Sequence, residues 1–502
     1  MALREEWCSE NLSKLLQEEL RISTLSELKD HLIALPRDEA VKVVDRLQLP
    51  LIFDCLDDSN NDQIDLACEV LTLCMSNLTV GETASKYAAP LEKMLSHPYS
   101  PVKLMALTEL EKSMISEEAL VEVSKRISLI NNVITCIGDN NLGVAKKASN
   151  IIVTLGTTIP GIHSITKPDI MDAFHACMAI SEVVRLRIYE ILVKISVISE
   201  HSFNKLREIG FISCIIEELN TNDVLFRMNI VEILTPLGMC DHGYAFLDEN
   251  KILSNFLSII CISDLDKDVS LLLSQPGIAK FFGNVANKRP LEVLSKYPRF
   301  YDYLFDSIES DNLTIVATVL DTLGHIGESN QGKNALYSTG NKIFDVIKTI
   351  SKMLGSLPTE LKISALNCIE NLLHVSEHKD NIELTTKRWF HALGENPMEI
   401  VLRYAKNPFL ELKLAGLGVL KAVAGQLWGQ ETIKNTPGLI EYLLDRSVET
   451  AKECKEKKYE IIQSLALSPV FDHFTTERLN SYVKQGPFYV QAVTEIAIEG
   501  NE

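Results

Sequence analysis

The residues Gly327-Glu-Ser-Asn-Gln-Gly332-Lys333-Asn334 have the GxxxxGK spacing with which a glycine-rich loop cradles phosphates and a lysine reaches toward them. That chemistry also needs a Ser or Thr after the lysine to hold Mg²⁺, and a strand before the loop. Here Asn334 follows, and the preceding run Ile315 to Ile326 has helical spacing, so a glycine-containing turn is the better reading. His374 and His378 lie four apart, which would place both on one helix face as zinc ligands, but no HExxH acid and no third ligand accompany them. They are expected to be solvated histidines. Gly416-Leu-Gly418 lacks the third glycine of a dinucleotide turn and sits inside an apolar helix, where close helix packing explains it. Cys68 and Cys74 are too widely spaced for a CxxC pair, and the chain holds no GxSxG elbow. No catalytic residue, cofactor or metal is therefore expected, and the chain reads as a non-enzyme.

The elements that would carry such residues are helices almost throughout. In Val184-Val-Arg-Leu-Arg-Ile-Tyr-Glu-Ile-Leu-Val-Lys-Ile195, positions 184, 188, 191, 192 and 195 recur at the steps of one buried helix face. A short polar turn, an apolar anchor, a polar or basic residue and a second apolar run then repeat along the chain. The anchors are Val102, Val144, Val184, Val224, Ile315, Leu361 and Leu412, with Ile64 and Val269 as weaker members. Their steps are 42, 40, 40, 91 (two units), 46 and 51 residues, close to the ~40–47 of HEAT and armadillo repeats. The predicted fold is all-α, a right-handed α-solenoid of HEAT/armadillo-like helical repeats. Gly210, Gly340 and Pro437-Gly438 mark the way into the first helix of a unit, where glycine permits a left-handed turn. Three regions are expected: degenerate helical repeats or a cap over 1–100, the array over 101–450, and capping helices with an extended tail over 451–502. Within the first region, short helices are expected to break at Pro36 and Pro50. The tail is expected to begin at Gly486.

Composition narrows the function. The 502 residues are 46% hydrophobic, and Lys+Arg 49 against Asp+Glu 68 gives a net charge of −19. A sequence-independent nucleic-acid binder needs a broad basic face, so DNA and RNA are poor partners for this chain. No stretch approaches the ~20 apolar residues of a membrane span, and the N-terminus lacks the features of a secretory signal. The 11 cysteines are scattered through apolar runs, as free thiols in a reducing compartment would be. The expected location is the cytoplasm, with the nucleus also open to it.

Repeat register supplies a positive signal. Three positions after the anchor, successive units carry Lys147, Arg187 and Arg227, a basic ladder on an acidic protein. If that helix lines the concave face, the ladder could meet an acidic partner; Glu190 and Lys194, on the same helix as Arg187, complete the candidate contact set. A second ladder, Lys103, Arg185, Lys362 and Lys413, is better explained by bonds to acids in the adjacent turn.

Several stretches resemble a known family: Ser181-Glu-Val-Val-Arg-Leu-Arg-Ile-Tyr-Glu-Ile-Leu, Gln275-Pro-Gly-Ile-Ala-Lys-Phe-Phe-Gly-Asn-Val-Ala, Asn435-Thr-Pro-Gly-Leu-Ile-Glu-Tyr-Leu-Leu-Asp-Arg-Ser-Val-Glu, Lys458-Tyr-Glu and Gly486-Pro-Phe-Tyr-Val. They are similar to the HEAT/armadillo-type assembly chaperones of the proteasome regulatory-particle base. The resemblance runs from about residue 180 to the C-terminus. It implies binding to proteasomal ATPase subunits, chiefly the C-terminal domain of ATPase subunit 1 with subunit 2 in the same module, and absence from the mature proteasome. It also implies a protein that is monomeric outside the complex and needs no nucleotide of its own. The competing class is a general scaffold or a peptide-binding adaptor of the armadillo kind, which uses repeated Trp and Asn. Of Trp7, Trp389 and Trp428, Trp7 alone has an Asn four residues on, at Asn11, so the pair does not repeat along the chain, which counts against that class.

Overall fold

Among the residues that the computed structural model describes (2–57, 60–78, 82–261, 269–376 and 380–490), every regular element is a helix. Each repeat holds three: a short first helix, a long central helix and a short third helix. The polar turns that recur in the sequence are the caps of the central helices. Asn60, Asn141, Ser181, Asp223 and Asn312 each accept a backbone N–H of the first turn through a side-chain oxygen, a bond whose loss costs about 1 kcal/mol per helix. The anchors that follow are core residues at Ile64, Val102, Val144, Val184, Leu361 and Leu412. Each such burial contributes about 1.5–3 kcal/mol. Val224 and Ile315 differ: they are half-buried, and Phe226 and Val316 take the core position.

Packing divides the chain into two compact units, Met1–Thr221 and Asn222–Glu502. In the first, the helices Arg21–Ala34, Asn61–Ser76, Ser100–Ser113, Leu142–Leu155 and Glu182–Ser196 pack one on the next. The second does the same with Val224–Met239, Val269–Lys288, Leu313–Gly327, Thr359–Leu373, Leu410–Ala424 and Lys452–Ala466. At the N-terminus, Pro36 caps the helix Arg37–Val44 and Pro50 occupies the first turn of Leu49–Asp54, so both prolines begin helices.

Two corner devices repeat. Gly210, Gly340 and Gly438 precede first helices at φ of 90°, 70° and 71°. Lys251 holds the same place before Ile252–Ile260 at φ 61°, without glycine's freedom. The other corner leads from the central helix into the third. There a Ser or Thr caps the third helix and a glycine follows three residues later, as in Thr158 with Gly161 and Ser329 with Gly332. A Cβ on Gly161 would lie 1.8 Å from the Leu155 carbonyl oxygen, and one on Gly332 1.7 Å from that of Ile326. The backbone of the third helix thus starts against the end of the central one. Gly332 is the second glycine of the GxxxxGK stretch, which is accordingly this corner and no phosphate loop.

Candidate partner-binding surface

The basic ladder is brought onto central helices as expected, but its charges are largely engaged in holding repeats together. In the first unit, Lys147 Nζ donates to Glu111 of the preceding central helix at 2.8 Å. Arg187 Nη1 donates to the Ile137 carbonyl at 3.1 Å, at the C-terminal end of the helix Ile127–Ile137, where a cation also complements the helix dipole. On the same helix as Arg187, Glu190 and Lys194 are about half exposed and pair with each other at 2.6 Å. Arg227, in the second unit, corrects the expected stripe. It is only 7% exposed, and its guanidinium reaches the buried Ser274 at 3.3 Å. In its helix the buried face begins at Phe226 in place of the anchor Val224, which turns Arg227 inward, and residue spacing does not record that rotation.

Three of the four residues of the second ladder link neighbouring repeats as expected, whereas Lys362 makes no ion pair among the described residues. Lys103 pairs with Asp139 at 2.7 Å, Arg185 with Glu218 at 3.5 Å and Lys413 with the buried Glu449 at 2.9 Å. Burial pushes the Asp139 carboxyl up, but the bonds it accepts from Lys103 and the Asn141 backbone N–H together hold it below the usual range.

The residues singled out for chemistry have structural places. Lys333 is fully buried, and its amine donates to the carbonyls of Gly327, Glu328 and Asn371, tying the end of one central helix to the next repeat. Burial pushes its pKa down to about 8. A Cβ on Gly416 would strike the Ala405 backbone nitrogen at 2.4 Å, and one on Gly418 the Glu370 carboxylate at 2.0 Å, so both glycines serve close packing. Burial pushes the thiols of Cys68 and Cys74 up to about 12, as neutral core groups. His374 is exposed at the end of its helix, and His378 lies outside the described residues. Among the described residues no cluster of three or more His, Cys, Asp or Glu is placed to hold a metal.

A cluster at the C-terminal end was not anticipated from spacing. The Arg446 guanidinium stacks on Tyr482, 3.6 Å from the ring centre, and donates to the Gly486 carbonyl at 2.7 Å and that of Tyr482 at 3.2 Å. Lys458 is buried beside it, donating to Tyr442 O at 2.8 Å and Asp445 O at 2.9 Å, and burial pushes its pKa down to about 8. Glu449 accepts from Tyr442 Oη at 3.0 Å as well as from Lys413. Arg446, Glu449, Lys458, Tyr482 and Tyr489 line a cavity of about 550 Å³. The start of the tail, 486–490, is thereby fixed to the last helices; residues 491–502 lie outside the described residues. Three of the stretches on which the family resemblance rests converge here, through Arg446, Lys458 and Gly486. A fourth, Gln275-Pro276-Gly277, is a packing junction: Gln275 Nε2 donates to the Ile259 carbonyl at 3.2 Å, and a Cβ on Gly277 would overlap Met228.

Stacked three-helix repeats with charges linking one repeat to the next define an α-solenoid of the armadillo/HEAT kind. In fold the chain is similar to yeast importin-beta (Kap95p), with a TM-score of 0.56 at 11% identity over 92% of this chain and 63% of that one. It is likewise similar to Kap121p, with a TM-score of 0.50 at 10% identity over 96% of this chain and 51% of that one. In sequence it belongs to the family of proteasome non-ATPase 26S subunits, whose model matches residues 4–502. Relatives called 26S proteasome non-ATPase regulatory subunit 5 are 30% identical in Homo sapiens over 98% of both chains, and 31% in Bos taurus over 96% of this chain and 97% of that one. The Drosophila melanogaster relative of the same name is 26% identical over 99% of both.

Proposed function

We propose that this protein is an assembly chaperone for the base of the proteasome 19S regulatory particle. It binds ATPase subunits, chiefly the C-terminal domain of ATPase subunit 1 with subunit 2 in the same module, and leaves before the proteasome is complete. It works in the cytoplasm, with the nucleus also open to it, as a monomer outside the complex, by binding without chemistry. The observation that supports this best is the family match across 4–502 by a chain whose conspicuous charges serve to join repeats. Within each unit, repeats joined in this way present a preorganised surface, and preorganisation lowers the entropic cost of gripping a folded domain.

The test is to tag the N-terminus, purify from cells under mild salt and identify what accompanies the protein. Base ATPases without the 20S core are the expected result. Intact 26S particles would make it a stable subunit, and recovery of neither would reduce it to a general scaffold or peptide adaptor.

A further inference from the structure

The first unit carries an apolar groove that no residue considered so far occupies. It measures about 460 Å³ and runs between the helices Arg21–Ala34, Asn61–Ser76 and Ser100–Ser113. Ile33, Leu73, Leu104 and Met105 form its walls, and Ile33 is 61% exposed. The polar groups along it are already satisfied. Thr72 and Thr108 donate their hydroxyls to Cys68 O at 2.8 Å and Leu104 O at 2.7 Å within their own helices, so they present methyl groups to the groove. Glu69 is paired with Lys29 at 2.5 Å and Glu109 with Lys112 at 2.7 Å. The apolar surface continues past the groove, because Leu104 lies 3.4 Å from where a Gly143 Cβ would be, beside the 70% exposed Leu142. One turn on, Lys146 is exposed and has no ion-pair partner among the described residues, and the helix Leu142–Leu155 carries no acid.

We infer that this strip is a docking site for an amphipathic α-helix of a partner protein, laid across the central helices with its apolar ridge in the groove and acidic residues toward Lys146. Three features select that occupant. Stacked helices lie ~8–10 Å apart, and residues i and i+7 on a crossing helix are ~10.5 Å apart, so one apolar residue every two turns meets each successive helix. From Ile33 to Leu142 the strip crosses four helices, three spacings or ~30 Å, the length of ~20 helical residues. The groove has no aromatic side chain, which a proline-rich ligand would need, and its helical walls offer no free backbone edge for an added strand. Finally, the groove carboxylates are neutralised by Lys29 and Lys112 while Lys146 has no such partner among the described residues, so the face favours acid on a protein whose net charge is −19. The inference does not depend on the chaperone reading.

Full-length protein should be titrated into three fluorescent 21-residue helical peptides. One has a leucine ridge with Glu flanks, one the same ridge with Lys flanks, and one Glu flanks with the leucines changed to Ser. The first is expected to bind at least tenfold more tightly than either of the others. Leu104→Glu and Ile33→Glu, both at accessible positions, should each weaken it about tenfold with unchanged melting. Lys146→Glu should weaken it about threefold and narrow the gap to the Lys-flanked peptide. No binding at 500 μM, equal binding of all three peptides, or binding indifferent to Leu104→Glu and Ile33→Glu would each overturn the assignment.

Discussion

At the residue scale, type and spacing located the charged ladders but not their depth. Arg187 and Arg227 stand 40 positions apart in equivalent register, yet one bonds helix-end carbonyls from the half-exposed surface and the other is core. Lys333 shows the same limit from the opposite side: a lysine in a glycine-rich stretch looks like a phosphate ligand, and its partners turn out to be three carbonyls. Its cost is dehydration of a cation, since burial pushes the amine from 10.5 down to about 8. A later repeat of the same unit has a neutral solution in the same place, where Gln430 Nε2 donates to Ala424 O at 3.0 Å, six residues back, as Lys333 does to Gly327. Lys333→Gln should therefore be neutral or stabilising by up to ~1 kcal/mol at pH 7, whereas Lys333→Met, which leaves the carbonyls without a donor, should cost about 1–3 kcal/mol. The pH dependence has a definite sign. The unfolded chain binds this proton more tightly, so between pH ~8 and ~10.5 it holds more protons than the native state, and stability from this group rises with pH. Below ~8 both states are protonated and the penalty is constant. Denaturant unfolding at pH 7.5 and 9.5 should show the native protein gaining ~1–2 kcal/mol on Lys333→Gln over that interval; a constant difference would mean the amine titrates normally.

At the element scale the sequence was most informative, because the features it shows are local. Polar turns, helical periodicity and the glycines before first helices are all set by residues close in sequence, and they appear where expected. What spacing did not reveal is the close approach at the second corner, since nothing in Thr158-Ile-Pro-Gly161 states that the next backbone lies against Leu155. Alanine is normally favoured over glycine in a helix by about 1 kcal/mol. Gly161→Ala should nevertheless destabilise by more than ~2 kcal/mol, because its Cβ would sit 1.8 Å from a carbonyl oxygen that belongs to the adjoining helix end. The equivalent place in the next repeat is Ser202, whose hydroxyl lies 2.9 Å from that of Ser199, so this corner is wider. Ser202→Gly should consequently cost under ~1 kcal/mol, and thermal melts of the two variants test the contrast. The first corner gives the converse case. Lys251 adopts a left-handed conformation that disfavours a residue with a Cβ by ~1–2 kcal/mol. Lys251→Gly should relieve that strain and, after the added flexibility of the unfolded chain is subtracted, raise stability by roughly 0.5 kcal/mol; a lower melting temperature would show that the lysine side chain compensates.

At the scale of the whole molecule, the array was legible from its period but its division was not. The regions bounded at 100 and 450 describe where the repeat is irregular; packing is a different property, and it groups the chain about Thr221 and Asn222, inside its regular part. Composition gives no warning there because the repeat motif runs straight through, with Asp223 capping the next central helix like its predecessors. The same regularity governs stability. Within the second unit each central helix packs on the one before and the one after, so an array of this kind loses structure through nearest neighbours. A local defect should accordingly spread a short way and fade. Gly332→Ala, which forces the corner below Leu313–Gly327 open against the Ile326 carbonyl, provides such a defect. In native-state hydrogen exchange it should speed exchange most in Leu313–Gly327 and Asn330–Ser338, less in Thr359–Leu373, which receives the Lys333 bond at Asn371, and least in Lys452–Ala466 two central helices further on. Uniform acceleration across all of these helices would instead make the unit one cooperative block. A partner gripping several repeats at once would then meet a surface that opens as a whole, and its release would follow global unfolding of the unit instead of local fraying.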